Sequence, residues 1–255
     1  MGSELFDLEG KLALITGSSR GLGYAIARGL GAAGARLVLN GRNEDRLHRA
    51  VETLREEGLA VEGLPFDVTR ETQAEAALGS LEESVGPPDI LVNNAGVIYR
   101  TSLENMSVSR WRATLETNLS GVFITSKYAV KGMIDRSGGK IINICSLMSE
   151  AGRETTGAYT ASKGGVKMLT KAMAVDWARH NIQVNGIGPG YFLTEMTEPL
   201  AADTQFDTWL KQRTPARRWG KPEELVGAAV FLASAASDFV NGQIIYVDGG
   251  ILAAL

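Results

Sequence analysis

The chain has 255 residues, with 26 lysines and arginines against 29 aspartates and glutamates. That slightly acidic balance, with no basic block, argues against nucleic acid or an anionic membrane surface as the main partner. A hydrophobic share of 44% is enough for a sizeable core, and the lone cysteine, Cys145, excludes an intrachain disulfide and a cysteine-based metal site.

Met1–Asp7 has neither the basic region nor the apolar region of a secretory leader. No apolar run is long enough to span a bilayer, so the expected setting is cytoplasmic. Cys145 reads as a buried, inert thiol. His48 and His180 lie far apart in polar helical contexts and read as solvated side chains, and no metal site is expected.

Leu12-Ala-Leu-Ile-Thr16 is a short apolar run of the kind found in buried parallel strands. Gly17-Ser-Ser-Arg-Gly-Leu-Gly23 follows, and then a helical pattern through Ile26, Ala27 and Leu30. A glycine-rich turn between strand and helix lets backbone approach a pyrophosphate, whose charge the helix N-terminal amides meet. Gly17, Ser19, Arg20, Gly21, Leu22 and Gly23 are therefore candidate cofactor contacts. Their spacing is G-x-x-x-G-x-G rather than G-x-G-x-x-G.

Arg36–Asn40 reads as the second strand, closed by Gly41-Arg42-Asn43. An acidic residue at this place would bond a ribose 2′-hydroxyl and repel a 2′-phosphate, whereas arginine accommodates the phosphate. Asn40, Gly41 and Arg42, with Arg20 in the glycine loop, favour NADP(H) over NAD. The alternative is that both arginines are simply solvated, with Glu44 and Asp45 close by. A helix over about 44–57 leads to a third strand around 60–65. Asp67 and Val68 then stand where an adenine would lie, although Asp67 could equally cap the helix beginning near Arg70.

A fourth strand, Asp89–Val92, closes with Asn93-Asn94-Ala95-Gly96, small and polar residues suited to backbone packing beside a cofactor. Two helical stretches, about 108–118 and 121–134, precede the apolar strand that carries Ser146. A long helix over 159–179 leads to a sixth strand at 182–187 and to Gly188-Pro189-Gly190. From Tyr191 to about Arg218 the strand–helix alternation lapses, and an inserted mobile segment with short helices is expected over 191–218. Pro222-Glu-Glu224 opens the last helix. Gln243–Val247 forms the seventh strand, before Asp248-Gly-Gly250. With no linker or repeat, residues 1–255 read as one α/β domain.

Tyr159 and Lys163 lie four residues apart, so a helix presents both on one face. A free phenol loses its proton only near pH ~10, and an ammonium held beside a phenol favours the phenolate. Ser146, thirteen residues upstream of Tyr159, could polarise a carbonyl beside the phenol. Together the three suit the reduction of a ketone or the oxidation of an alcohol.

Thr16-Gly-x-x-x-Gly-x-Gly23, Asn93-Asn-Ala-Gly96, Asn118, Ser146, Tyr159-x-x-x-Lys163, Pro189-Gly190 and Asp248-Gly249 together resemble the short-chain dehydrogenase/reductase family over nearly the whole chain. The resemblance implies a doubly wound sheet of seven parallel strands with helices on both faces, and a homotetramer. It implies that Asn118, Ser146, Tyr159 and Lys163 are catalytic. In that scheme Asn118 kinks its helix and anchors a proton-relaying water, and Lys163 also holds the nicotinamide ribose. Asn94, Ala95 and Gly96 would meet the adenosine side, and Pro189, Gly190, Phe192 and Thr194 the nicotinamide side.

Further stretches, including Asn143–Glu150, Gly152-Arg-Glu154, Asn185–Tyr191, Thr214–Gly220 and Val240–Gly250, resemble the gluconate 5-dehydrogenases within that family. The resemblance implies a sugar-acid substrate and reversible reduction of 5-ketogluconate to gluconate. A carboxylate needs a cation, and Arg100 and Arg153 are the candidates, with Glu150 as an acceptor of sugar hydroxyls. The alternative for each is an exposed charge or a structural pair such as Glu150–Arg153. Other readings are a 3-oxoacyl thioester reductase, another sugar or polyol dehydrogenase, or a non-catalytic NADP-binding regulatory or scaffold protein.

Overall fold

The computed structural model describes residues 4–254; Met1–Ser3, part of the stretch read for a leader, and Leu255 lie outside them. Seven strands form one parallel sheet: β1 (Leu12–Ile15), β2 (Arg36–Asn40), β3 (Val61–Leu64), β4 (Ile90–Asn93), β5 (Gly139–Ile144), β6 (Ile182–Pro189) and β7 (Ile244–Val247). Their spatial order is β3-β2-β1-β4-β5-β6-β7. The chain winds outward from β1 to β3, returns to β4 beside β1, and winds outward again to β7. The β1–β4 boundary is thus the switch point, where loops from the two halves diverge and leave a crevice.

Strand residues alternate between two cores, as a period of two requires. Ala13, Ile15, Leu37, Leu39, Val92, Ile142 and Ile187 face one side, against α1 (Gly21–Ala32), α2 (Glu44–Glu56) and, later in the chain, Val226–Ala233. Leu12, Leu14, Val38, Leu91, Ile141 and Val184 face the other side, against α3 (Glu71–Ser84) and two later helices. Because both faces are covered, β1 and β4 are buried along their full length, which is why these strands read as continuous apolar runs.

Several boundaries differ from the sequence expectation. The stretch expected as one helix over 108–118 is α4 (Val108–Leu115) followed by a wider π turn, Glu116–Ser120, before α5 (Gly121–Asp135). The helix that carries Tyr159 and Lys163, α6 (Gly157–Trp177), starts two residues before Tyr159 and ends in a 3-10 turn, Ala178–His180. The sixth strand runs on through Pro189, because Gly188 and Pro189 keep their parallel register with Tyr246 and Val247. Two short helices, α7 (Glu198–Ala201) and α8 (Thr204–Arg213), occupy the inserted segment. Pro222–Leu225 forms a 3-10 turn that runs directly into α9 (Val226–Ala233).

Candidate active site

The glycine loop sits at the switch point and is shaped by close backbone approach. Gly17 has φ +61°, and a Cβ there would come within 2.8 Å of Ala95 Cα. At Gly23 a Cβ would meet the Asn94 amide at 2.3 Å, so only glycine lets α1 sit this close to the end of β4. The Thr16 hydroxyl accepts from the Asn94 and Ala95 N–H groups, and the Asn94 amide donates to the Thr16 and Gly17 carbonyls. These bonds clamp the two loops together. Gly21, at φ +60°, has open space where its Cβ would be, and no side chain caps the first turn of α1. Free helix-terminal amides beside an open glycine are a cradle for a phosphate group.

Side chains at the end expected to take the adenosine are less free than the sequence suggested. Asn40 is buried and fully committed: its Oδ1 accepts from Gly17 N at 3.2 Å, and its Nδ2 donates to the Leu64 and Phe66 carbonyls. It shapes the pocket rather than presenting a free amide to a ribose. Ser19 and Gly41 lie against each other beneath it. Arg42 is exposed, 3.4 Å from Asp67, and Arg20 pairs with Glu195 across the crevice mouth. Asp67 does not cap α3, whose N-cap is Arg70. Its Oδ1 instead accepts from the Thr69 N–H and hydroxyl. Burial pushes the Asp67 carboxyl up, but the Thr69 bonds and Arg42 outweigh it and hold it below its ordinary value. Val68 and Leu22 turn their side chains into the cores, which leaves backbone facing the crevice.

On the reaction side, the ends of β5, the π turn and α6 meet. Lys163 is buried, and its Nζ donates to the Ile144 carbonyl at 2.5 Å while lying 5.7 Å from the centre of the Tyr159 ring. The Ser146 hydroxyl accepts from Met148 N, leaving its own proton available. Asn118 is wholly buried at the π turn. Its side chain exchanges hydrogen bonds with the Val97 backbone and donates to Ser162 Oγ, which in turn donates to the Tyr159 carbonyl. Asn118 therefore braces the loop after β4 against the turn of α6 that carries Tyr159. Across the crevice, Pro189 and Gly190 end β6, and a Cβ on Gly190 would strike Asp248 Cα at 2.7 Å. Phe192 buries its ring against Gly220, and Thr194 is held by Thr197.

Arg100, in the loop after β4, and Arg153, in the loop before α6, lie within electrostatic reach of each other and of Tyr191. Burial, then repulsion from Arg153, lower the Arg100 pKa from its ordinary value, and Tyr191 and Tyr159 lie within electrostatic reach. Among the described residues neither arginine has a carboxylate partner. Arg153 lies 4.8 Å over the Phe206 ring and donates to Tyr191 Oη. Glu150 is placed otherwise than the sequence suggested. Its carboxylate takes Lys167 at 2.6 and 2.7 Å and the Tyr246 hydroxyl at 2.7 Å, contacts that hold its pKa low. Both oxygens are occupied, and no pair with Arg153 forms. Cys145 is buried, and desolvation raises its thiol to about 11. Among the described residues no group of three or more histidine, cysteine, aspartate or glutamate side chains could hold a metal.

A family model described as enoyl-(acyl carrier protein) reductase matches residues 17–252, and relatives about half identical to this chain cover its whole length. The chain belongs to the short-chain dehydrogenase/reductase family. Among the relatives of this dehydrogenase/reductase, the 2-dehydro-3-deoxy-D-gluconate 5-dehydrogenase of Formosa agariphila is 52% identical, covering 100% of this chain and 97% of the relative. The 5-keto-D-gluconate 5-reductase of Escherichia coli is 50% identical over 99% of this chain and 100% of its own. Among solved structures, a gluconate 5-dehydrogenase from Burkholderia cenocepacia in complex with NADP and tartrate superposes with a TM-score of 0.98 at 50% identity, each chain covered in full.

The bracing role of several residues of this dehydrogenase/reductase, quoted in the sequence only as parts of motif stretches, comes from the fold. Thr16 and Ser162 are two. Ser149 is a third: its hydroxyl donates to the Lys163 carbonyl and accepts from Ser146 N, tying the two segments together. Small hydroxyl side chains beside motif residues were the signal, and they are too common to single out. Tyr191 is the fourth, within a group of aromatics concentrated where the strand–helix alternation lapses.

Proposed function

We propose that this chain is an NADP(H)-dependent oxidoreductase that interconverts D-gluconate and 5-keto-D-gluconate. The observation that carries the reading is the placing of two arginines without carboxylate partners beside the Tyr159–Lys163 pair. A sugar acid offers a carboxylate for the arginines and a secondary alcohol or ketone several carbons away for the tyrosine. The names of the two curated relatives agree on chemistry at carbon 5 of a six-carbon sugar acid.

The glycine cradle, the uncapped first turn of α1 and the exposed Arg42 fit a dinucleotide carrying a 2′-phosphate, and NADP is bound in the Burkholderia relative. Backbone of Gly17–Gly23 and Asn94–Gly96 would hold the phosphates and adenosine. Arg42, and Arg20 once released from Glu195, would meet the 2′-phosphate, and Lys163, Pro189–Gly190, Phe192 and Thr194 would hold the nicotinamide end. When bound, the cofactor supplies or accepts the hydride.

The remaining chemistry falls to side chains. The Ser146 hydroxyl donates to the carbonyl oxygen and polarises it. Tyr159 delivers the proton to that oxygen in reduction and takes it back in oxidation. Lys163, anchored on Ile144, fixes the charge beside the phenol, and Asn118 holds the braced turn through which protons are replaced. Arg100 and Arg153 orient the carboxylate, and Glu150, already satisfied, serves structure instead. Oxidation releases a proton, so it is favoured as pH rises.

Exposed apolar side chains on α5 and α6, among them Phe123, Met168 and Val175, together with Phe239 before β7, fit burial between copies of the chain, and a cytoplasmic homotetramer is part of the proposal. No helix among the described residues is long and apolar enough to cross a membrane.

The test is loss of NADPH absorbance with 5-keto-D-gluconate, run beside 2-dehydro-3-deoxy-D-gluconate oxidation and a 3-oxoacyl thioester. Turnover of 5-keto-D-gluconate at least about tenfold above the others in kcat/KM is expected, a difference of ~1.4 kcal/mol. The second reading, drawn from the 52%-identical Formosa relative, holds if the deoxy acid wins. Preference for the thioester contradicts both.

A further inference from the structure

Four aromatic rings gather over the reaction end of the crevice, all from the stretch after β6. Tyr191 is ringed by Phe206, Trp209 and Trp219 at 5.5, 6.3 and 5.9 Å between centroids, each set edge-on or nearly so. Leu147 and Met148, next to Ser146, pack with Leu210 and Trp219, and Tyr159 rests against the same cluster. Trp219 Nε1 is fixed by Asp207 at 2.8 Å, which locks α8 under the rings. An edge-on cage of this kind holds a ring in one orientation, so the direction of the Tyr191 hydroxyl is set by packing before any ligand arrives.

That hydroxyl is only half used. It accepts from Arg153 at 3.3 Å, and its own O–H has no protein acceptor among the described residues. Arg153 and Arg100 both lie within electrostatic reach of it, as does Tyr159. Burial raises the Tyr191 phenol above its ordinary value, which keeps it a proton donor. Apart from the Arg153–Tyr191 bond, the tyrosine, the two guanidiniums and the catalytic phenol thus present donors to one end of one crevice, with no carboxylate among the described residues paired to either arginine.

We propose that the Tyr191 hydroxyl, steered by Arg153 and the aromatic cage, is a specificity-determining donor to the sugar-acid substrate. This rests on the sugar-acid reading of the site. Tyr191 binds an oxygen of the carboxylate or of an adjacent hydroxyl, and so favours polyhydroxy acids over ketones that lack an acceptor there. A polar group built to bond a substrate oxygen is left unpaired by an analogue without one, and such a mismatch discriminates strongly. Since Tyr191 is continuous with Phe192 and Thr194, the same stretch that reads the acid also borders the nicotinamide end.

The experiment is steady-state kinetics of wild type, Tyr191→Phe, Arg153→Gln and the double variant with 5-keto-D-gluconate at saturating NADPH, with NADPH dissociation constants and melting midpoints measured alongside. Phenylalanine keeps the ring contacts, so Tyr191→Phe should melt close to wild type. Its KM should rise about tenfold, with kcat within about threefold and NADPH affinity unchanged, because the lost bond is formed equally in ground and transition states. The double variant should show less than the product of the two single effects, since both residues act on one substrate group. Wild-type turnover with an unaltered KM in Tyr191→Phe would overturn this proposal and leave the sugar-acid reading standing. A wild-type protein that reduces other carbonyls but not sugar acids would overturn both.

Discussion

The floor and the cover of the crevice are built on opposite plans. On the floor, the turns after β1 and β4 offer backbone to the crevice, and side chains there and at the end of β2 are spent on neighbours: Asn40 on Gly17, Leu64 and Phe66, and Thr16 on Asn94 and Ala95. The cover, from Tyr191 to Trp219, instead displays side chains: a caged tyrosine facing arginines that reach it from other loops. Backbone recognition suits a cofactor common to many reactions, because it needs only close approach and amides. Side-chain recognition suits a substrate, because a single ring or cation can be exchanged without disturbing the sheet.

The largest test of that division lies between the two regions. Tyr159→Phe removes the proposed proton donor while leaving floor and cover intact, so kcat should fall by about a thousandfold, with NADPH still binding by fluorescence titration. Loss of NADPH binding along with turnover would mean that floor and chemistry are not separable. A smaller effect is expected on the floor itself. Asn40→Asp deprives the Leu64 and Phe66 carbonyls of their donors and sets a carboxylate against them. Chemical denaturation should show a loss of ~1–3 kcal/mol, whereas an unchanged midpoint would refute the structural role given to this amide.

The smallest effect belongs to the outer end of the cover, where Arg218 and Glu224 form a paired fork at 2.7 and 2.6 Å. The Arg218 bond draws the Glu224 carboxyl from 4.5 down to about 2. A carboxyl whose pKa is lower in the folded chain stabilises it above the unfolded value, and that contribution drains away as pH falls. Glu224→Gln should therefore melt slightly below wild type near neutrality, and the two midpoints should converge between pH 4.5 and 2. Because the pair is exposed, the gap is small at any pH. A difference that does not narrow across that window would assign the stabilisation to something other than charge.

How much could be read before folding follows the same division. Seven strands, their order along the chain and the glycine loop were legible because buried parallel strands are uninterrupted apolar runs and tight turns demand glycine at fixed spacing. The π turn at Asn118 showed as a break between two helical patterns and as the helix kink that the family resemblance implies, since no residue type is specific to it. Glu150, expected to accept from sugar hydroxyls or to pair with Arg153, is instead met by Lys167 and Tyr246, which the fold brings to it from α6 and β7. Asn40 looked like a ribose contact from its place at the end of β2. Its burial, and the two carbonyls that claim its amide, come from the end of the neighbouring strand β3 and the turn after it. Tyr191 stood only as the last residue of the Asn185–Tyr191 stretch, because its significance lies in which distant rings and guanidiniums surround it.

The central claim is hydride transfer between NADPH and carbon 5 of a sugar acid, and the label itself can be followed. NADPH deuterated at both C4 positions, incubated with 5-keto-D-gluconate and the protein, should yield gluconate carrying deuterium at C5 by NMR. Deuterium at any other carbon, or gluconate without deuterium, would contradict the account.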